Sequence, residues 1–212
     1  MSEKIEGIIL RVYQSRESDL VVHLLSPDKG KIHGLARGGR RSKRRFAGSL
    51  DIFDVGTFQL SPSRSSLPTI QDFAARPRFS ALRLSLDRIS AASCLGETVD
   101  LLTGEELHEG ARELYETYCN ALSHLQTLSS TREILRVTCE SLEEILAQSG
   151  FLNRNPARQP SAKQLRWFIT LVENTAEREM KTKSAIELLI RSIDSTPESR
   201  ESESDKKTLI LS

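Results

Sequence analysis

The spacing of apolar residues changes once along this chain, near Pro77, and that switch constrains the fold more than any other feature. Before it, short apolar blocks rich in Ile, Val and Leu are bounded by Gly and Pro, the pattern of strands. After it, apolar residues recur every three or four positions, the pattern of helix faces. A chain of 212 residues has room for two small domains. The switch therefore predicts a β domain over residues 1–76, a helical domain over 77–193, and a disordered tail over 194–212, where Ser and Glu replace apolar residues.

Five strands are expected in the first part: Ile5 to Tyr13, Leu20 to Leu25, Lys31 to Ala36, Ile52 to Leu60 and Leu67 to Phe73. Ser26-Pro27-Asp28-Lys29-Gly30 places Pro and Gly where a turn needs them. A turn centred on Asp28 pairs Leu25 with Lys31 and His23 with His33. Gly56 marks a bulge or bend, and Pro68 confines the last strand to a start or an edge. Five short strands suit a small closed barrel, which leaves no exposed edge. An OB-type barrel is the first choice and an SH3-like barrel the second. In the second part, Phe79, Leu82, Leu86, Ile89, Ala92, Leu95, Val99 and Leu102 predict one helix of about seven turns. Leu114 to Leu128 predicts a second. Ser130-x-x-Glu133 starts a third, which Gly150 ends, and Ser161-x-x-Gln164 starts a fourth that includes Trp167. A fifth runs from Lys183 to Ile193. The fold class is thus α+β, an OB-fold followed by an all-α domain.

The net charge of +1 hides an asymmetry. Residues 1–78 hold 14 Lys and Arg against 8 Asp and Glu, whereas residues 79–212 hold 16 against 21. A polyanion is the natural partner of the first part. The excess concentrates in Arg37-Gly38-Gly39-Arg40-Arg41-Ser42-Lys43-Arg44-Arg45-Phe46, where six of the first nine residues are cationic. Arginines give planar, bidentate contacts to phosphate, and adjacent glycines let a backbone approach a ligand closely. Phe46 offers a face on which a base could stack. Lys29 and Lys31 flank the hairpin turn and could extend the patch. A merely solvated basic loop is the plainer alternative, set against the self-repulsion such a run carries.

Other chemistry is sparse. His23 and His33, facing across a hairpin, could share a metal, but no third ligand is evident, and ordinary histidines are the simpler reading. Cys94, Cys119 and Cys139 lie 25 and 20 residues apart, without a C-x-x-C, so neither a disulfide framework nor structural zinc is expected. Buried thiols in a reducing cytoplasm fit best. No apolar run approaches the ~20 residues of a membrane span, and the N-terminus lacks a signal peptide's pattern. No G-x-S-x-G, G-x-x-x-x-G-K-[ST] or H-E-x-x-H occurs. A metal-dependent nuclease or nucleotidyltransferase would have to use Asp19, Asp51 and Asp54, the carboxylates near the basic run. Trp167 is a candidate partner contact, although a lone helical Trp is more often core.

Gly7-Ile8-Ile9-Leu10-Arg11, Glu17-Ser18-Asp19-Leu20-Val21-Val22, Gly30-Lys31, the block Ala36 to Gly48, Leu50-Asp51-Ile52-Phe53 and Leu67-Pro68-Thr69 together resemble the bacterial RecO family. Leu146-Ala147-Gln148-Ser149-Gly150-Phe151 is similar to that family's Gly-Phe turn. The resemblance implies an OB-fold with a helical domain and a recombination mediator of RecF-pathway DNA repair. Such proteins bind single- and double-stranded DNA, anneal complementary strands, bind RecR and the single-stranded DNA-binding protein, and help load RecA. It implies no enzyme activity, no cofactor and a cytoplasmic, nucleoid-associated location. Many members carry a four-cysteine zinc site after the Gly-Phe turn. Here Asn153 to Pro160 contains no cysteine, so zinc is not carried over. On the residues alone, the run Arg37, Arg40, Arg41, Lys43, Arg44 and Arg45 is the expected nucleic-acid-binding element; the resemblance implies that the nucleic acid is DNA, with an RNA-binding OB-fold factor as another alternative.

Overall fold

The computed structural model describes residues 2–42, 45–46, 50–63, 67–104, 109–155 and 157–194. Lys43, Arg44 and most of the expected tail, 195–212, lie outside them. Five strands, β1 (Glu3–Gln14), β2 (Leu20–Ser26), β3 (Gly30–Ala36), β4 (Val55–Ser61) and β5 (Thr69–Arg76), close into a barrel in the order β1-β2-β3-β5-β4. This is a five-stranded barrel of OB type, as expected. The hairpin register is the one the turn demands, with Leu25 opposite Lys31 and His23 opposite His33. β3 and β5 meet in parallel at Leu35 and Thr69, and the Pro68 carbonyl accepts the Leu35 N–H at 2.8 Å. Gly56 is not a bulge. It pairs regularly with Gly7 and Ala75, and the irregularity between β4 and β5 falls opposite Gln59/Leu60, where Gln71 of β5 has no partner in the register. Glycine is needed at 56 for close approach, because a Cβ there would lie 2.2 Å from the Ala74 carbonyl oxygen.

The barrel interior is filled from alternate positions by Ile5, Ile9, Val22, Leu24, Phe58, Ile70 and Phe73. Phe58 and Phe73 stack at 4.3 Å between ring centres across β4 and β5. The opposite faces of β1 and β2 are not solvated. Ile8, Leu10 and Leu25, with Phe53 and Val55, join the apolar core of the helices. The helices are α1 (Leu86–Leu102), α2 (Ala111–Leu125), α3 (Thr131–Gln148), α4 (Ala162–Ala176) and α5 (Lys183–Asp194).

The single long helix expected from Phe79 is divided. Ser80–Leu84 form a 3-10 turn, and Ser85 is extended and caps α1, its Oγ accepting the Arg88 N–H at 3.4 Å. Leu86, expected on the buried stripe, is 70% exposed. α1 is the central helix. Its small residues Ser90, Ala91, Ala92 and Gly96 are buried with Leu95 and Val99, so it packs on several sides. α2, α3 and α4 bury one stripe each, and the Ser130 and Ser161 caps form as expected, accepting from Glu133 N and Gln164 N. Among the described residues no helix is long and apolar enough to cross a membrane.

Candidate nucleic-acid interface

The basic run joins β3 to β4 around one end of the barrel. Gly38 has φ +65°, a left-handed conformation that glycine adopts without strain, and its N–H donates to Asp19 Oδ1 at 2.8 Å. The Arg41 and Ser42 N–H groups both donate to the Gly38 carbonyl at 3.0 Å. The loop is also tied to the β1–β2 connection: Arg40 N–H donates to the Ser18 carbonyl, the Arg40 side chain to Gln14 Oε1 at 2.9 Å, and Arg41 to Glu17 Oε1 at 3.2 Å. Arg45 turns back on the loop, donating from Nε to Ser42 Oγ and from a terminal nitrogen to the Arg37 carbonyl at 2.7 Å. Arg37, Arg40, Arg41 and Arg45 are all exposed. The folded backbone thus concentrates cations on one rim and leaves their side chains accessible to phosphate.

Two cavities flank this rim. One, of about 280 Å³, is lined by Arg16, Asp19 and Arg37 together with Val21, Leu35 and Leu67. The other, of about 450 Å³, lies beside Arg40. Arg16 is exposed and was missed by sequence reasoning, since a single cation in a short loop carries no signal until the β1–β2 connection is seen beside the basic run.

Three expected contacts are corrected. Phe46 is 1% exposed and belongs to the barrel core, so its ring has no free face for a base. Lys29 sits at the far end of β3, a strand of seven residues that spans about 20 Å, and pairs with Glu3 at 2.9 Å. The same hairpin tip reaches α2 through Asp28 and Arg112. Lys31 is 8% exposed and points toward α1, where Nζ donates to the Asp100 carbonyl at 2.6 Å. Neither lysine extends the basic rim.

Lys31 leads instead to a buried polar cluster between barrel and helices. Asp100 accepts from His23 Nδ1 at 2.6 Å, with Arg11 3.5 Å and Lys31 3.9 Å from its carboxylate. Burial opposes ionisation of Asp100, but the His23 hydrogen bond and the charges of His23, Lys31 and Arg11 outweigh it and hold its pKa below the ordinary value. His33 stacks on His23 at 3.7 Å and 17°. His23, His33 and Asp100 place ligand atoms within 4.8 Å of one another, so a third potential ligand does exist. The fit to a metal is poor. Parallel rings send their in-plane lone pairs side by side rather than to one point, and two cations already compensate the carboxylate. The dialysed protein is therefore expected to hold no stoichiometric zinc by elemental analysis. One zinc per chain would show that the rings rotate to converge on an ion.

The remaining candidates are accounted for by local contacts. Asp51 and Asp54 face Arg83 at 3.0 and 3.7 Å, and burial raises the Asp54 pKa despite that partner. With Asp19 bonded to Gly38, the three carboxylates of the nuclease alternative do not converge. The three thiols are buried, and burial pushes Cys94 and Cys139 up to about 12. The α3–α4 connection, which contains no cysteine, is held by Arg154–Glu144 and Arg158–Glu143 pairs, with the Arg158 guanidinium over Trp167 at 5.1 Å. Trp167 itself is half exposed.

Barrel, rim and helices define an OB-barrel protein with an appended helical bundle, a class in which the barrel serves as a platform for oligomeric ligands. Residues 1–76 match the family described as "Recombination protein O N terminal", and the chain is similar to proteins described as "DNA repair protein RecO". It is 36% identical over 121 residues to "DNA repair protein RecO" of Anaeromyxobacter sp. (strain K), covering 56% of this chain and 48% of the relative. It is 31% identical over 136 residues to the RecO of Syntrophus aciditrophicus, covering 64% and 52%. It is 30% identical over 170 residues to that of Synechococcus elongatus, covering 77% and 62%. The matched stretch is thus about half to three fifths of these relatives' length.

Proposed function

We propose that this protein is a non-catalytic, DNA-binding recombination mediator acting in DNA repair. The observation that carries the reading is the cationic rim: Arg37, Arg40, Arg41 and Arg45, with Arg16 beside them, exposed at one end of a closed barrel. Lys43 and Arg44 belong to the same loop by sequence. Binding single- and double-stranded DNA on one such surface lowers the repulsion between two backbones, and base pairing then drives annealing without an active site. The likeness to RecO proteins supports the repair context. It also extends the reading to RecR and the single-stranded DNA-binding protein as partners, to RecA loading as the outcome, and to a cytoplasmic, nucleoid-associated setting. No cofactor is required, and the helical domain over 77–193 is the natural seat of protein contacts.

The test is strand annealing on complementary oligonucleotides coated with the cognate single-stranded DNA-binding protein, with magnesium chelated. Duplex should form faster with the protein than without it, and both strands should stay intact. A strict magnesium requirement with strand shortening would favour the nuclease alternative, and a strong preference for RNA would favour an RNA-binding factor.

A further inference from the structure

We infer that the cavity lined by Arg16 and Arg37 is a subsite for one unpaired base of single-stranded DNA. The inference rests on the rim's binding DNA and deepens that reading. The cavity, of about 280 Å³, lies on the outer face of the barrel where β2 and β3 reach the rim. Val21 and Leu35 are direct cross-strand partners there. Alternation turns both outward, because Val22, Leu24 and Ala36 belong to the interior. Val21 is nevertheless only 4% exposed, so it forms the floor of a recess rather than part of a flat surface. Leu67 sits beside Leu35, whose N–H donates to the next carbonyl along, that of Pro68. Ser15, Arg16 and Asp19 of the β1–β2 connection, with Arg37, complete the lining. Asp19 fixes that corner by accepting the Gly38 N–H.

The mixed lining selects the occupant. A phosphate lodged inside would meet the Asp19 carboxylate. A base instead offers flat apolar faces to Val21, Leu35 and Leu67, and polar edges to Ser15, Asp19 and the arginines. Among the described residues Arg16 and Arg37 form no ion pair, unlike Arg41 with Glu17, so both are available to the phosphates flanking that base. A paired base keeps its faces inside the stack, and bringing it here would cost its pairing and stacking. The cavity thus favours single strands, whereas the rim arginines hold either form. During annealing, duplex formation withdraws the base, and the product is left held by its phosphates alone, which eases its release.

The test measures the full chain's affinity for three probes with equal numbers of phosphates: a thymidine oligonucleotide, its abasic counterpart and a hairpin duplex. The wild type should bind the thymidine probe more tightly than the abasic one. Leu35→Ala strips the outward side chain from the cavity floor and leaves the β3 backbone ladder in place, and Leu35→Ile restores an apolar floor. Leu35→Ala should weaken thymidine binding roughly three- to thirtyfold. Abasic and hairpin binding, and the salt slope, should not change. Leu35→Ile should match the wild type. Equal binding of the thymidine and abasic probes by the wild type overturns the inference, as does thymidine binding undiminished in Leu35→Ala. A loss shared equally by all three probes overturns it too, since the floor would then act through the fold or the phosphate-binding surface. Failure of the rim itself reads differently, because alanine replacements of Arg40 and Arg41 would then leave hairpin and abasic binding intact.

Discussion

Replacing Arg40, Arg41, Arg44 and Arg45 with alanine is expected to remove most of the DNA affinity while leaving the protein folded. Each phosphate that is no longer neutralised flattens the dependence of log K on log salt by about 0.7 to 0.9, so four should flatten it by roughly three to four units. Wild type and variant, similar near 1 M salt, would then differ by about three orders of magnitude at 0.1 M. The weakening should be much the same for different sequences, because phosphate contacts position a protein without reading bases. Stability should change little. Arg40 and Arg41 give up exposed bonds to Gln14 and Glu17, and such surface pairs contribute little in water. Arg45 is the exception to watch, since it donates to the Arg37 carbonyl and to Ser42 across the loop. Without those bonds the loop should loosen while the barrel, whose ladders they do not join, stays closed. Titration of the two proteins at four or five salt concentrations, beside thermal melts, measures both effects. A quadruple variant with an unchanged slope would move the DNA surface away from this rim.

The barrel was legible because its signals are local. Period-two alternation marked the strands, and Pro27 to Gly30 fixed the turn and, through it, the pairing of His23 with His33. The basic rim was legible for the same reason, being one uninterrupted stretch of chain. What was not legible depended on distance or on a competing local preference. Leu86 has the spacing of a buried residue, but Ser85 caps a new helix there, and the restart turns Leu86 outward. Phe46 has the neighbours of a surface residue, yet a loop crossing a barrel end needs an apolar group to close it, and Phe46 with Leu50 fills that role. Lys31 has the position of a surface cation at a hairpin tip. Its fate is decided by Asp100, 69 residues away on a helix whose periodicity does not reveal which polar group a strand will meet.

Removing that partner is expected to cost more stability than any change at the DNA rim. In Asp100→Ala, Lys31 and Arg11 lose the carboxylate that compensates them, and His23 loses the acceptor at 2.6 Å. Breaking a buried ion pair from one side typically costs about 3–5 kcal/mol, because the remaining charge stays out of water. In a chain of this size each kcal/mol lowers the melting temperature by roughly 2–4 °C. The double variant Asp100→Leu with Lys31→Met should recover part of that cost, since it leaves fewer uncompensated charges and the site is already lined by apolar groups. The pH dependence has a fixed sign. The folded-state pKa of Asp100 lies below the ordinary 3.8, so its ionised form contributes stability fully above that value. That contribution fades as pH falls through the depressed folded value. The gap between wild type and Asp100→Ala should therefore be widest near neutrality and should narrow only below about pH 4. Lys31→Met alone should lower stability yet leave the salt slope of DNA binding unchanged, which separates a buried strut from a phosphate-binding cation. If Asp100→Ala melts within a degree of wild type, barrel and helices are held by their shared apolar core alone. If Lys31→Met flattens the salt slope, Lys31 reaches DNA after all, and the cluster must open to let it.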